Sequence, residues 1–475
     1  MKKSSLCSGP ISRRSVLEAG GLSVLGLGLS DFLRFQAQAK EGSAAFVDKG
    51  TSVIFIWLPG GLPHMESYDM KPDAPSEYRG DLRPIRTNVP GIEVCELLPM
   101  HAKIADKFTL IRSIHHEFAD HGGAHKRMMT GRPPKTPTGT INDAPAVTSI
   151  VKNIIGSQKR NRFEMPVCVS EVDGNRAGID TFAMGAAWLG ASNNPFIVAG
   201  DPSSPDFKVQ NIGVRKEMES RIDDRLAMLK GMDDMRRDVD KSGVMNAMDS
   251  FNRQAMEMLM SERVRQAFDL SKESTRTRER YGMTAYGQRA LMARRLVEAG
   301  SRFVTMVWEN PGGATPKNCA YNWDFHAVNC HIFEDCKWKL PIYDRALTAL
   351  IDDVYQRGLD QKTLIVVGSD FGHTPKLNPQ RGTKTGVIQP GRDHWPKAMS
   401  LLVSGGGMNM GQVIGATNSK GEHPIERVMT PNDLWATVYQ HLGIDYSVYL
   451  KNSQGPPLQI LPFGKPIEEL NPKMT

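Results

Sequence analysis

The strongest constraint on the fold is a repeated pattern of short β-branched runs that end in glycine or polar turns and alternate with helical periods. The runs lie at 51–61, 301–313, 362–372 and 397–407. Helical segments at 284–300 and 341–359 precede the second and third runs. Strands that alternate with helices form a mostly parallel sheet covered on both faces. The sequence therefore predicts a doubly wound α/β fold with helices flanking a mostly parallel sheet.

The first 39 residues have the layout of an export signal. Lysines at 2 and 3 precede SRRSVL at 12–17, a weakly apolar stretch follows, and AQA at 37–39 fits a cleavage site. The alternative is a surface loop that happens to contain two arginines before a short core helix. We predict a twin-arginine signal peptide at 1–39, a single domain at 40–475, and a periplasmic or secreted location.

The charge of the chain gives no reason to expect a nucleic-acid partner. The formal net charge is +7, and the signal removes five Lys/Arg and two Asp/Glu, which leaves +4 spread over a long chain. No later stretch approaches the roughly 20 apolar residues of a membrane-spanning helix. We therefore expect no nucleic-acid partner and no transmembrane span in the mature chain.

A segment at about 215–280 differs in composition from the rest of the domain. It has a helical period, many charged residues and many methionines. Methionines at such spacing usually fill a hydrophobic core rather than bind metal. This segment is predicted to be a helical insertion in the α/β domain.

The cysteines allow two interpretations. After the signal, five remain, at positions 95, 168, 319, 330 and 336. The last three lie close to His326 and His331, which would suit zinc, but the paired C-x-x-C spacing of strong zinc sites is absent. In an oxidising compartment, one disulfide together with buried thiols is the expected arrangement.

Aspartate and histidine recur together beside three of the predicted strands. The pairs are Asp324 with His326 after the second run, Asp370 with His373 after the third, and Asp393 with His394 before the fourth. Reactive groups gather at the carboxyl edge of an α/β sheet, so these pairs are expected to lie together. Carboxylate and neutral imidazole are the ligands of hydrolytic metal centres. One such pair is most often a surface hydrogen bond, but three predict a divalent metal site for Zn, Mn, Ca or Fe.

The segment FADHGGAHKRMMTGRPP at 118–134 adds two histidines. If residues 122–130 form a helix, His121 lies at its start and His125 one turn later, on the same side. A helix amino end also attracts anions. These histidines either complete a metal site with Asp324, His326, Asp370 and His394, or act as nucleophile and acid on a bound ester. The alternative is that both histidines donate hydrogen bonds to core carbonyls. Arg132 is expected to secure the end of the helix rather than to bind substrate.

Two segments resemble sulfatase motifs. Residues 343–372 resemble the closing part of a sulfatase domain, where a long helix, a Gly-Leu turn and an apolar strand lead to a metal-binding Ser-Asp-His-Gly. The 118–134 segment resembles the motif Cys-x-Pro-x-Arg followed by a helix that ends in Leu-Thr-Gly-Arg. His121 stands at the position of the nucleophilic cysteine and His125 at that of the arginine, so neither residue type of the motif is present.

Residues from about 45 to 460 are more closely similar to a bacterial family catalogued as domain of unknown function 1501, grouped with alkaline phosphatases and sulfatases. The segments that carry this resemblance are PGGLPH at 59–64, SYDMKP at 67–72, HGGAH with TGR at 121–132, WDFH at 323–326, DFGHTP at 370–375 and GRDHWP at 391–396. The resemblance implies an alkaline-phosphatase-like sheet, with Asp370 at a metal-ligand position and His394 near the place of a late metal-binding histidine.

The chain departs from that pattern after the first strand. Alkaline phosphatases and sulfatases place aspartates there, whereas this chain has PGG at 59–61. Half of the usual ligands for one ion are then missing, unless Glu66 or Asp69 reaches back. Gly60 and Gly61 either present backbone N–H groups to an anion or simply form a turn.

These features predict an exported metal-dependent hydrolase that acts on a sulfate or phosphate ester of a small molecule or polysaccharide. His121 and His125 are expected to face the ester, and the ion is expected to be held by Asp324, His326, Asp370, His373, Asp393 and His394. Two alternatives remain. One is a non-catalytic phosphatase-fold protein that binds a sugar or a cell-envelope partner, and the other is a metal-stabilised structural protein of the envelope.

Overall fold

A mixed sheet of eight strands forms the centre of the part of the chain that the structure describes. The computed structural model describes residues 45–139, 142–158, 165–172, 184–209, 261–452 and 455–471. The strands are β1 (Ser52–Leu58), β2 (Phe108–Ile114), β3 (Cys168–Val172), β4 (Phe196–Ala199), β5 (Phe303–Val307), β6 (Thr363–Ser369), β7 (Met399–Gly405) and β8 (Gln412–Ile414). Their order is β8-β2-β7-β6-β1-β5-β3-β4. All neighbours are parallel except the two pairs made by β7, so the predicted α/β class with a mostly parallel sheet is confirmed.

Strand β7 corrects the expectation that each β-branched run forms a parallel strand. Leu402 lies opposite Val367 of β6 and opposite Leu110 of β2, antiparallel in both cases. The segment before β7 makes a short antiparallel ribbon, Gly372–His373 with His394–Trp395, and has no crossover helix. A parallel strand needs a crossover connection, so this one returns antiparallel. The start of β7 therefore lies at the sheet edge where β1, β2, β5 and β6 end.

Helices cover both faces of the sheet. They are α1 (Ser76–Arg79), α2 (His121–Thr130), α3 (Val147–Gln158), α4 (Glu262–Phe268), α5 (Thr275–Tyr281), α6 (Ala285–Ala299), α7 (Ile332–Gln356) and α8 (Pro431–Leu442). In β1, Ile54 and Ile56 belong to the core on the α6 and α7 side, whereas Phe55 and Trp57 belong to the core on the α2, α3 and α8 side. Burial on both faces explains why this strand is continuously apolar.

Helices α6 and α7 differ in how well the sequence predicted their limits. Helix α6 begins after Thr284, whose side chain caps Gly287, and ends at the left-handed Gly300, as expected. The helix predicted from residue 341 instead begins at Ile332 and contains Pro341. The turns before Pro341 bury Phe333 and Leu340. Their packing offsets the hydrogen bond that a proline removes from a helix interior.

The remaining strands are short ribbons around the sheet. They pair Pro84–Arg86 with Glu93–Cys95, Gln380–Arg381 with Ile388–Gln389, Ala416–Thr417 with Pro424–Glu426, and Tyr449–Leu450 with Leu458–Gln459. The predicted signal peptide at 1–39 and the part of the predicted insertion before residue 261 lie outside the described residues. The end of that insertion is described and forms α4 and α5.

The expected disulfide is wrong for the described cysteines. All five, at positions 95, 168, 319, 330 and 336, are free and buried. They behave as small apolar core residues, because burial raises the pKa of each thiol and keeps it protonated. Within the described ranges, no helix has both the length and the apolar surface needed to cross a bilayer.

Candidate metal centre

Four segments bring polar side chains to the edge of the sheet where β1, β2, β5 and β6 end. They carry His121 and His125 on α2, Asp324 and His326 in the loop after β5, Asp370 and His373 after β6, and Asp393 and His394 before β7. Because β7 is antiparallel, the residues that precede it reach the same edge as residues that follow the parallel strands. The structure therefore brings all three predicted Asp–His pairs and the α2 histidines into one region.

Three histidine side chains converge on Asp324, and we call these four residues the outer group. Its Oδ1 atom lies 2.9 Å from His326 Nε2 and 3.1 Å from His394 Nε2, and those two nitrogens are 2.9 Å apart. His121 Nε2 lies 3.8 Å from Asp324 Oδ2. Ligand atoms of a tetrahedral zinc site, at bond lengths of about 2.0–2.1 Å, lie about 3.3 Å from one another. Asp324, His121 and His394 offer ligand atoms that all lie within 4.8 Å of one another and could hold one divalent ion, and His326 lies against the same carboxylate.

The Nδ1 atoms of the three outer-group histidines already have hydrogen-bond partners. Each Nδ1 faces an oxygen acceptor: Asp393 Oδ1 at 2.7 Å from His326, the Ala119 carbonyl at 2.7 Å from His394, and Asp370 Oδ2 at 2.8 Å from His121. An Nδ1–H that donates to such an acceptor leaves the Nε2 lone pair of a neutral imidazole free. Second partners of this kind orient metal-binding histidines. In the absence of an ion, the Nε2 atoms hold the protons that bond to Asp324, and a cation that replaced those protons would meet three Nε2 lone pairs beside the carboxylate.

A second set, which we call the inner group, consists of Asp370, His121 and His125. Asp370 Oδ2 lies 2.8 Å from His121 Nδ1 and 3.1 Å from His125 Nε2, and its Oδ1 accepts the Gly60 N–H at 2.9 Å. His121 therefore belongs to both groups, with one ring nitrogen in each. Both α2 histidines contact a carboxylate, which differs from the alternative that they serve core carbonyls. Their common side follows from the four-residue spacing on a helix.

The two groups differ in access to solvent. The four side chains of the outer group keep between 16% and 26% of their surface exposed. In the inner group, Asp370 is fully buried and His125 is 1% exposed, with its ring edge-on to Trp57 at 5.3 Å. This burial argues against a direct contact between His125 and an ester, so the open outer group is the place where a substrate can reach.

Electrostatics also mark this region as a cation site. Burial by itself raises the pKa of Asp324, but hydrogen bonds from His121, His326 and His394 hold that pKa well below its ordinary value. Burial lowers the pKa of His121, but hydrogen bonds to Asp324 and Asp370 raise it to about 10. Against the raising effect of burial, His125 and His121 likewise hold the pKa of Asp370 well below its ordinary value. Asp324 and Asp370 thus retain their negative charge and attract positive charge, which a proton or a metal ion can supply.

Two predicted ligands take other positions. Asp393 binds His326 through Oδ1 and accepts from Asn378 Nδ2 through Oδ2 at 2.8 Å, so it orients a histidine. His373 is fully buried, and its Nε2 accepts the Phe325 N–H at 3.4 Å. Neither residue belongs to the two groups of described residues that could hold an ion, His121 with Asp324 and His394, and His121 with His125 and Asp370. His326 is also outside both groups, but its Nε2 lies 2.9 Å from Asp324 Oδ1. Asp393 and His373 both support the loops that carry the outer group.

The acidic residues after the first strand do not reach the centre. Glu66 pairs with Arg392 at 2.6 Å, with both side chains buried, and Asp69 pairs with Lys71 at 2.8 Å. The Glu66–Arg392 pair ties the loop before Asp393 to the loop after β1. Arg132 binds the Gln459 carbonyl, as expected for a residue that secures the end of α2.

The structure shows why residue 60 is a glycine, which the sequence alone left open. Its φ is +103°, and a Cβ atom there would lie 2.5 Å from the Asp324 backbone nitrogen. Its N–H binds Asp370 rather than a free anion. The glycine is therefore needed so that the β1 turn can lie against the backbone of the outer-group aspartate.

Substitution Gly60→Ala is expected to lower the free energy of unfolding by about 3 kcal/mol or more, through the left-handed backbone and the contact with Asp324. Gly91→Ala is the matched control, because Gly91 also has a positive φ, +85°, but nothing lies within 4 Å of its Cβ position. That variant should lose only about 1 kcal/mol. Urea denaturation measures both, and equal losses would contradict the close approach at Gly60.

Two supports of the centre were missed from the sequence. His116 Nε2 lies 2.6 Å from the Asp370 carbonyl, and burial lowers its pKa to about 4, so it donates as a neutral imidazole. Lys339, fully buried in α7, donates to the Ala320 and Asn322 carbonyls at 2.8 and 2.7 Å and to Asp335 at 2.6 Å. The i, i+4 spacing of Asp335 and Lys339 was the available signal. We call this pair the α7 clamp, since it holds the loop two residues before Asp324.

Comparison with known proteins gives one family match. Residues 50–470 match the family described as Protein of unknown function (DUF1501). A search of curated proteins gave no significant match.

Solved structures show distant likenesses. The PsFucS1 sulfatase from Pseudoalteromonas sp. is 12% identical with a TM-score of 0.36, covering 90% of this chain and 72% of its own. The alkaline phosphatase from the Antarctic bacterium TAB5 is 12% identical with a TM-score of 0.35, covering 82% and 98%. The C-terminal periplasmic domain of EcEptC from Escherichia coli, in complex with Zn, is 9% identical with a TM-score of 0.37, covering 88% and 97%.

Proposed function

This chain belongs to the DUF1501 family, and we propose that it is a metal-dependent hydrolase of a phosphate or sulfate ester. The observation that carries the proposal is the convergence of three histidine Nε2 atoms on Asp324, with every Nδ1 atom bound to an acceptor. Such an arrangement prepares lone pairs for a cation before the cation arrives.

The donor set fits a divalent transition metal. Imidazole suits Zn and Fe, and the one carboxylate supplies negative charge and is a ligand type that also suits Mn. Asp324, His121, His326 and His394 would hold the ion, and at that position it would supply Lewis-acid chemistry for ester hydrolysis. Asp370, Asp393 and the Ala119 carbonyl would keep the three rings in the binding orientation.

The chain also offers a place for the anionic group of the ester. His121 is the first residue of α2, a ten-residue helix whose amino end carries a partial positive charge. Phosphate and sulfate groups bind favourably at helix amino ends. The Asp120 side chain accepts a hydrogen bond from the Gly123 N–H at 2.8 Å. Because this N–H is already bonded, the ester would approach the first turn of the helix from the side of the outer group.

Exposure of the outer group favours catalysis over a structural role. Structural metal sites are closed by protein ligands, whereas catalytic sites keep a position open to substrate. All four outer side chains remain partly exposed. A protein that binds a sugar or envelope partner without turnover is the remaining alternative, and assays separate it from a hydrolase.

Protein purified without chelator is expected to contain about one divalent ion per chain, because one carboxylate and three imidazoles converge. Dialysis against a chelator should abolish hydrolysis of 4-nitrophenyl phosphate, bis(4-nitrophenyl) phosphate or 4-nitrophenyl sulfate, and re-addition of the ion should restore it. Elemental analysis and the three assays measure these effects.

The Asp370→Ala variant should hydrolyse the preferred ester more slowly, since His121 loses its orienting partner. Equal rates in variant and wild type would point to a contaminating enzyme. A fully folded chain without metal would end the hydrolase proposal, and a metal-loaded chain without turnover would favour the binding protein.

We also propose export by the twin-arginine route. The support is the sequence at 1–39, where SRRSVL precedes a weakly apolar stretch and AQA. That route carries folded proteins, so a metal could be acquired before export.

A further inference from the structure

A cleft of about 400 Å³ lies beside the outer group. Its walls include Tyr78, Lys376, Asn378, Asp393, Trp395 and Glu422. The volume lies within the range of small-molecule sites. Two aromatic rings and several polar groups thus surround a space large enough for a small organic ligand.

No side chain of the outer group lines the cleft, but Asp393 in the cleft wall contacts one of the outer-group histidines. Asp393 Oδ1 lies 2.7 Å from His326 Nδ1, and its Oδ2 accepts from Asn378 Nδ2 in the cleft wall at 2.8 Å. Trp395 directly follows His394 in the same two-residue strand. A ligand in the cleft is therefore next to the two loops that supply the metal-binding histidines.

The Trp395 wall is held in place before any ligand binds, and the Tyr78 ring lies against a lysine. Trp395 Nε1 donates to the Glu422 carbonyl at 2.7 Å, which fixes the indole. Lys420 Nζ lies 5.0 Å from the centre of the Tyr78 ring. Fixed aromatic rings present apolar area at little cost in side-chain entropy.

The polar groups of the cleft match the surface of a sugar. Carboxylates accept hydrogen bonds from hydroxyl groups, whereas an amide N–H and an ammonium donate to hydroxyl and ring oxygens. Asp393 and Glu422 are the acceptors of the wall, and Asn378 and Lys376 are the donors. Asn378 already donates one hydrogen bond to Asp393, and Asn418 donates one to Glu422, so a ligand would use the remaining amide hydrogen and carboxylate lone pairs. Trp395 and Tyr78 line the cleft and supply aromatic surface on which the apolar C–H face of a sugar ring can pack.

We propose that this cleft binds the sugar unit of the ester substrate, so that the substrate class is a sugar phosphate or sugar sulfate. This inference rests on the proposed hydrolase function. The cleft holds the leaving-group sugar while the anionic group lies at the outer group. Two acidic groups in the cleft wall also disfavour a second phosphate or sulfate there.

The test compares sugar esters with esters that lack a ring. Metal-loaded wild-type enzyme is assayed with glucose 6-phosphate and glucosamine 6-sulfate, and with methyl phosphate and methyl sulfate. The sugar ester with the same anionic group should have a kcat/KM higher by about tenfold or more, because the cleft adds contacts to the sugar. Trp395→Ala should lower that preference by about tenfold, mainly through KM.

Two further variants test the cleft in case Trp395→Ala fails to fold. Lys376→Ala removes an exposed side chain of the cleft and should lower the preference by about threefold. Phe463→Ala is the control, because Phe463 is an exposed aromatic residue, 93% accessible, outside the cleft wall. It should leave the preference unchanged.

Three outcomes decide the inference. Equal kcat/KM for methyl and sugar esters, or a preference for nucleoside 5′-monophosphates over hexose esters, overturns the sugar cleft and leaves the hydrolase standing. If no ester is hydrolysed, the proposed function fails, and calorimetric titration of glucose 6-phosphate decides the cleft by itself. If glucose 6-phosphate binds the wild-type protein and the Trp395→Ala variant binds it more weakly, the sugar cleft is supported. If glucose 6-phosphate does not bind, the sugar cleft is overturned.

Discussion

Substitution Asp324→Asn is expected to release the bound ion and to lower kcat/KM for ester hydrolysis by at least about a thousandfold. Asp324 is the only carboxylate among the four outer side chains, and its Oδ1 lies within 3.1 Å of two imidazole nitrogens. An asparagine of the same size removes the negative charge that balances the ion. Elemental analysis and steady-state kinetics measure the two effects, while denaturation reports whether the fold is kept.

A graded series of aspartate variants separates ligands from supports. Asp393→Asn should weaken metal affinity by about 10- to 100-fold, because it alters the partner of a ligand and not a ligand itself. Asp352→Asn is the control, since Asp352 is a partly exposed residue that pairs with Lys107 at 2.6 Å, away from the centre. It should change neither affinity nor rate. An Asp324→Asn enzyme that keeps its ion at wild-type affinity would contradict the assignment of the outer group.

The second large effect concerns stability. Lys339→Met is expected to lower the free energy of unfolding by about 3–5 kcal/mol, because the buried Asp335 carboxyl loses its cationic partner, and burial, which already raises the pKa of Asp335, then drives it to take up a proton. The α7 clamp has no exposed surface on either side chain. The Ala320 and Asn322 carbonyls also lose their donor. The loop that leads to Asp324 should loosen, so metal affinity should fall together with stability.

The control for the clamp is an ion pair of equal length at the surface. Lys107 lies 2.6 Å from Asp352, with both side chains nearly 30% exposed, and Lys107→Met should cost at most about 1 kcal/mol. A double variant, Asp335→Leu with Lys339→Met, should regain part of the lost stability, since no buried charge is left unpaired. It should not regain metal affinity, because the loop carbonyls still lack a donor. Recovery of both properties would show that the clamp stabilises the fold without positioning Asp324.

Several features of the fold were predictable because they depend on local pattern. The continuous apolar run of β1 indicates a strand that is buried on both faces, and the four-residue spacing of His121 and His125 predicts rings on one side of a helix. Helix α2, supposed at 122–130, extends over His121–Thr130, where Asp120 caps Gly123 and Gly131 ends the helix with a φ of +67°.

Other features were not predictable because they depend on contacts between distant segments. Helix α7 begins nine residues before Pro341, since tertiary packing overrides the tendency of proline to start a helix. The expected disulfide is replaced by free, buried thiols at five core positions. No local pattern shows which core a cysteine will join.

By itself, the sequence determined the α/β class and the kinds of residue that meet at the carboxyl edge of the sheet. It could do so because side-chain periodicity and strand ends are local properties, and parallel strands deliver their ends to one edge. Only the tertiary structure decided that β7 runs antiparallel, that Asp393 orients His326, and that Asp370 lies behind His121. Those roles depend on distances of about 3 Å between atoms far apart in the chain, which periodicity does not encode.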